Sequence, residues 1–151
     1  MSKSNDFENE LLNLLFLNTA IANIGSAAGL QPSSSAGSVF AALHTADPGE
    51  AGTALTNEIS YTGYARQALG RSGTNFSVSA GVLTQLLNVD FPESTGGTGG
   101  TVTFFSYVKE VSGASVILYS GAVGTAQVVN TGVIPRLKGN ASGTPTTVTE
   151  D

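Results

Sequence analysis

The chain has no cysteine and no tryptophan, and only one histidine, one methionine and six basic residues among its 151 positions. Without a thiol there is no disulfide, no thiolate nucleophile and no thiolate metal site. A single histidine leaves little for general acid–base chemistry, which most often rests on a histidine oriented by a second polar group. The bases Lys3, Arg66, Arg71, Lys109, Arg136 and Lys138 are scattered and outnumbered by eleven acids, for a formal charge of -5. Neutralising a run of phosphates takes clustered Lys and Arg, so direct nucleic-acid binding is not expected. Long apolar runs are missing as well. The longest, LLNLLFL over 11–17, follows Asp6, Glu8 and Glu10. It is shorter than the ~17–25 residues of a membrane span and lacks a basic flank, so neither a membrane anchor nor a signal peptide is expected.

What is present is enough to fold. Hydrophobic residues make up 40% of the chain and the mean hydropathy is +0.13, above the range of disordered segments. The length fits one domain with one core. Charged residues amount to 11%, against about 25–35% on the surface of a small soluble monomer. A partner is therefore expected to cover part of the surface.

Residues 5–24, NDFENELLNLLFLNTAIANI, place Phe7, Leu11, Leu14, Leu17, Ile21 and Ile24 at steps of three and four, which predicts one amphipathic α-helix. Asn5 or Asp6 suits its N-cap, Glu8 and Glu10 suit the positive end of its dipole, and Gly25 suits its end. Leu12, Leu15 and Phe16 widen the apolar stripe, as a deeply buried helix or one with an outside contact requires. After the Gly/Ser-rich connector 25–38 the period changes from 3.6 to 2. The runs SVFAALHTA, ISYTGYARQAL, NFSVSAG, LLNVDF, TVTFFSYVKE, ASVILYSGAV, AQVVN and GVIPRL read as about eight strands bounded by Gly, Pro, Asn or Ser. No second helix alternates with them. The expected fold is mainly β, an antiparallel, jelly-roll-like β-sandwich with one N-terminal helix. A single domain is expected over 1–138, and residues 139–151, nearly free of apolar groups, are expected to form an extended or flexible arm.

Polar residues concentrate in LHTADPGEAGTALTNEISYTGYARQAL, residues 43–69. His44 ends a strand, where it is expected to tie the following turn to the sheet. Pro48 and Gly49 suit the centre of a tight turn between Asp47 and Glu50, which marks that acid pair as loop-shaping rather than catalytic. The serine elbow Gly-x-Ser-x-Gly is missing, as is the EF-hand spacing of acids. The stretch STGGTGGTV, 94–102, lacks the Lys-Ser/Thr ending of a phosphate cradle and runs into a strand, so it is expected to be a flexible hairpin tip. No cofactor and no metal are expected. In YTGYAR, Tyr64 and Arg66 are placed to reach a carboxylate together, either Glu58 or Asp47 within the chain or one on a partner. His44, Asp47, Pro48, Gly49, Glu50, Tyr61, Tyr64 and Arg66 are the expected interface residues.

LHTADPGEAGT with TNEISYTGYAR, preceded by NTAIANIGSAAGLQPSSSAGSVFAA and followed by VDFPESTGGTGGTVTFFSYV, ILYSGAV and GVIPRL, resembles a family of small virion proteins of tailed bacteriophages. Its members are often labelled tail fibre proteins, and similar small β-rich phage proteins serve as capsid decoration or cement. The resemblance spans about residues 10–138. It implies a non-enzymatic structural protein of the virion, located on the outer surface of the capsid and made in the host cytoplasm. Having neither repeats nor a shaft, the chain is expected to be cement, bound across subunits of the major capsid protein as a homo-oligomer, dimer or trimer. The alternative is a tail-associated fibre or adaptor protein in host attachment. Stable contacts of this kind bury about 1,200–2,000 Å², which one face of such a domain plus an arm can supply.

Overall fold

A computed structural model describes residues 2–140 and 147–149. The protein is mainly β, with antiparallel sheets and one N-terminal helix, the class expected from the sequence. Its elements in chain order are α1 (Asn5–Phe16), β1 (Ser38–His44), β2 (Gln67–Gly70), β3 (Phe76–Ser79), β4 (Val82–Gln85), β5 (Val89–Asp90), β6 (Gly100–Val108), β7 (Ile117–Val129), β8 (Arg136–Leu137) and β9 (Thr147–Thr149). They form a four-stranded sheet in the order β2-β1-β6-β7, a three-stranded sheet β3-β4-β9 and a two-stranded sheet β5-β8. The chain divides into two compact units. One takes in the described residues up to Ser38, Gly70–Leu87 and those from Lys138 onward, and the other comprises Val39–Leu69 and Asn88–Leu137.

In the first unit α1 is shorter than the apolar periodicity predicts. It ends at Phe16 rather than near residue 24, because Asn18 turns left-handed (φ 54°) and the amides of Leu17 and Thr19 both donate to the Asn13 carbonyl. Asn favours that conformation among non-glycine residues. Ser4, rather than Asn5 or Asp6, caps the start by accepting from the Phe7 amide. The deepest seam is Leu12 and Phe16, one turn apart and both 0% exposed. The Phe16 ring meets Phe76 edge-on with centroids 5.1 Å apart, so two of the residues that widen the stripe, Leu12 and Phe16, prove to be its centre, while Leu15 is half-buried. Ile21 is buried too, but as a bridge partner of Leu30 outside the helix. Strands β3 and β4 form a hairpin in register Ser79↔Val82, and Ala80 and Gly81 both have positive φ, as a two-residue primed turn requires. The Asn9 side chain accepts from the Gly81 amide and so ties α1 to the hairpin tip. The guanidinium of Arg71 donates to the carbonyls of Leu14, Leu15 and Ala36 and to the Ser33 hydroxyl. It thereby closes the C-terminal end of α1, where carbonyls lack intrahelical partners and a cation suits the dipole. The arm expected over 139–151 lies largely outside the described residues; residues 147–149 pair with β4.

In the second unit the core rests on β1 and β6, paired from Phe40↔Val108 to His44↔Phe104. Val39, Ala41, Leu43, Val102, Phe105, Tyr107 and Val108 are all buried, and the Phe105 and Tyr107 rings meet edge-on at 5.6 Å. Alternation breaks down at the end of β1, where Ala42 and His44 are as buried as their neighbours. The following segment folds back along the strand: Ile59 N–H donates to the Leu43 carbonyl and His44 bridges Glu58. ISYTGYARQAL is therefore not one strand, since only its last part enters β2. The runs ASVILYSGAV and AQVVN, by contrast, join into β7, which carries a bulge opposite Val102 to Phe104.

Candidate functional site

The polar stretch 43–69 lies wholly in the second unit and builds one braced loop, residues 45–58. The Asp47 carboxylate accepts from the Gly49 amide at 2.8 Å, an Asx-turn that Pro48 and a left-handed Gly49 (φ 68°) complete. Gly52 donates to the Gly49 carbonyl at 3.1 Å, and a Cβ at Gly52 would come within 2.0 Å of the Pro48 carbonyl oxygen. The Asn57 side chain donates from Nδ2 to the Asp47 carbonyl at 2.9 Å, while the Thr45 backbone amide donates to the Asn57 carbonyl at 2.8 Å. Ala54 N–H reaches the Ser115 carbonyl at 2.9 Å and so fastens the loop to the β6–β7 hairpin.

His44 does what its position at a strand end predicts. Its Nδ1 lies 2.9 Å from the Thr56 carbonyl and its Nε2 lies 2.8 Å from the Ser106 hydroxyl. A carbonyl only accepts, so in the neutral ring Nδ1 carries the proton and Nε2 accepts from Ser106. Burial holds the imidazole below its ordinary 6.5, against the smaller raising effects of the Thr56 carbonyl, Glu58 and Asp47. The ring is 0% exposed and both nitrogens are engaged in joining the loop to the sheet.

The carboxylate that Tyr64 and Arg66 share is Glu58. Arg66 donates from Nε to Oε1 and from Nη2 to Oε2, each at 2.8 Å, and Tyr64 Oη donates to Oε1 at 2.9 Å. The Tyr64 oxygen also accepts from the Leu43 amide at 3.1 Å. The rest of the guanidinium donates to the carbonyls of Glu110 (3.1 Å) and Gly113 (2.8 Å). One buried arginine thus joins the 45–58 loop to the 109–116 hairpin. The paired carboxylate raises its pKa further, with burial opposing. Burial likewise pushes the Tyr61 hydroxyl up to about 12, and it raises Tyr64 more strongly. Tyr61 donates to the Pro92 carbonyl at 2.9 Å, and its ring meets Tyr64 edge-on at 5.3 Å. Tyr64 in turn stacks on Phe91, with 4° between the ring planes. The glycine stretch 94–102 is not a free tip. The Thr95 amide donates to the Thr62 carbonyl, the Thr62 amide donates to the Gly96 carbonyl and the Gly99 amide donates to the Ser60 carbonyl.

Of the eight expected interface residues, His44, Pro48, Tyr61 and Arg66 are buried in the chain's own fold and Tyr64 is half-buried, whereas Asp47, Gly49 and Glu50 are exposed. The buried ones set the shape of the loop that the exposed ones present. Beside them lies a depression of about 330 Å³ lined by Leu55, Glu58, Ile59, Ser60, Tyr61 and Tyr64. The sequence reading missed Leu55 and the hairpin 109–116. Their signal was aliphatic residues (Leu55, Val111, Val116) placed in polar turns, where neither periodicity places a core residue. Among the described residues no group of three or more His, Asp or Glu side chains is arranged to hold a metal ion.

Chemically the cluster is closed: burial favours the neutral histidine and both of its nitrogens are engaged, and the carboxylate at the centre is occupied by an arginine and a tyrosine. Residues 2–143 match the family model described as Gp80, podophage GP4 fiber I protein gp80. No curated protein matches the chain.

Proposed function

The chain belongs to the podophage GP4 fiber I protein gp80 family and is a bacteriophage structural protein, and from that membership we propose that it works by docking onto a neighbouring virion protein, without catalysis. The observation that carries this reading is the closed polar cluster. His44, Glu58, Tyr64 and Arg66 are joined to one another's segments and to backbone carbonyls, so the residues a reaction would draw on serve to hold two loops in a fixed shape. A preformed surface loses little conformational freedom on association, which favours tight contacts.

Two places on the particle fit such a part. A chain of 151 residues without repeats suits capsid decoration, in which copies bind across seams of the major capsid protein and stabilise the assembled shell by mass action. The other is a tail-associated fibre or adaptor with a role in host attachment, a reading compatible with the word fiber in the family description. Copy number separates the two readings: washed particles carrying many copies over the shell support decoration, and a few copies at the tail support the fibre. Absence from mature particles overturns both. The non-catalytic reading is tested by incubating the purified chain with host envelope and wall material. Hydrolysis that disappears in a folded His44→Ala variant would overturn it.

A further inference from the structure

Resting on that docking reading, we propose that the end of the second unit built by the 45–58 loop and the 109–116 hairpin is the docking face, and that its partner is a virion protein presenting an apolar spot ringed by lysine or arginine. Three aliphatic side chains stand exposed there, Leu55 at 56%, Val111 at 58% and Val116 at 55%. The hydrogen-bond network ties together the segments that carry them. Ala54, next to Leu55, is bonded to Ser115, next to Val116, and Arg66 holds the carbonyls of Glu110 and Gly113 on either side of Val111. The Ser115 hydroxyl accepts from the Glu110 amide and closes the hairpin. Exposed aliphatic side chains on a braced scaffold, rather than on a loose loop, are what a protein contact uses.

Charge decides the class of partner. The two segments expose Asp47, Glu50 and Glu110 against a single base, Lys109. A second copy of the same face would set like charges against each other, and nucleic acid or an anionic membrane would be repelled. An apolar centre with a basic rim on another protein satisfies both features. The aliphatic rather than aromatic character of the three side chains argues against a sugar ligand, which stacks on rings. Leu55 also lines the neighbouring 330 Å³ depression, so a side chain of the partner has a recess to enter beside the patch.

The test uses particles produced by phage lacking this gene and supplied with the full-length chain in trans, with copies per particle counted. Leu55→Ser with Val111→Asp is expected to cut incorporation at least tenfold, and Glu50→Lys with Glu110→Lys is expected to do the same, while denaturation midpoints stay at the wild-type value. Val128→Ser with Ile134→Ser, at exposed positions outside the two segments, is expected to incorporate normally. Incorporation of both patch variants at wild-type level overturns the assignment of this face while leaving the docking reading intact. So does a shift of the wild type from oligomer to monomer caused by the patch changes, which would make the face a self-contact. Failure of the wild-type chain itself to enter particles overturns the docking reading and the face together.

Discussion

Glu58 and Arg66 meet side by side, Nε on Oε1 and Nη2 on Oε2 at 2.8 Å each, with 11% of the Glu58 side chain and 3% of the Arg66 side chain exposed. Both charges have left water, and their attraction offsets that cost only while the pairing is complete. Replacing Arg66 by Met leaves Glu58 partly buried with Tyr64 alone and frees the carbonyls of Glu110 and Gly113. The expected loss is about 3–5 kcal/mol of unfolding free energy, read from urea denaturation. Replacing both residues by apolar ones of similar size is expected to cost less than either single change. A double variant worse than both would mean that the pair itself, rather than the stranding of one charge, supplies the stability.

His44 gives the fold a pH dependence of defined sign. Burial places its folded pKa below the 6.5 of the free side chain, so between the two values the unfolded chain holds a proton that the folded chain does not. Unfolding is therefore favoured as pH falls: the contribution is fully present above 6.5 and is lost as pH drops through the folded value. Asp90, whose carboxyl is held below its ordinary 3.8 by Arg136, acts in the same direction in a lower window. Denaturation midpoints between about pH 5 and 8 are expected to fall toward acid in the wild type and to flatten in His44→Gln. An equally steep fall in the variant would assign the dependence to other groups.

The sequence showed what local pattern determines. The change of period after the connector marks the passage from helix to strands, and ADPGEAG carries its own turn chemistry in Asp47, Pro48 and Gly49. His44 was legible as a fastener because it stands where β1 must hand over to a loop. The pairing of Tyr64 and Arg66 on Glu58 was legible as one of three options, beside Asp47 and a carboxylate on a partner. What stayed hidden is non-local. Nothing near Arg66 in sequence announces the carbonyls of Glu110 and Gly113, and alternation along 59–66 suggested a strand where the chain folds back on β1. The helix was read too long because Ile21 and Ile24 keep the apolar step after Asn18 has already turned the backbone.

The loop's shape depends on Gly52. A methyl group there would lie 2.0 Å from the Pro48 carbonyl oxygen, whereas one at Gly124 meets nothing within 4 Å. Gly52→Ala is expected to cost about 1–3 kcal/mol, as forced overpacking does. Gly124→Ala is expected to stay within about 0.5 kcal/mol, as surface changes do. Thermal unfolding of the two variants side by side checks this. Equal midpoints would show that the loop gives way and that the backbone contact does not constrain it.

In the first unit the equivalent fastener is Arg71. Its guanidinium spans four acceptors, the carbonyls of Leu14, Leu15 and Ala36 and the Ser33 hydroxyl, at 2.5, 2.6, 3.0 and 3.1 Å respectively. Hydrogen bonds from a charged donor contribute roughly 1.5–3 kcal/mol, and α1 has no basic residue of its own in its last turn. Arg71→Ala is expected to lower stability by about that amount and to raise amide exchange in the last turn of α1. Arg71→Lys separates the two physical contributions. A lysine keeps the charge that complements the helix dipole but loses the planar fork, so a single ammonium cannot span acceptors contributed by both the helix end and the connector. If the fork is what matters, Lys recovers a minor part of the loss. Full recovery by Lys would reduce the role of Arg71 to that of a point charge at a helix terminus.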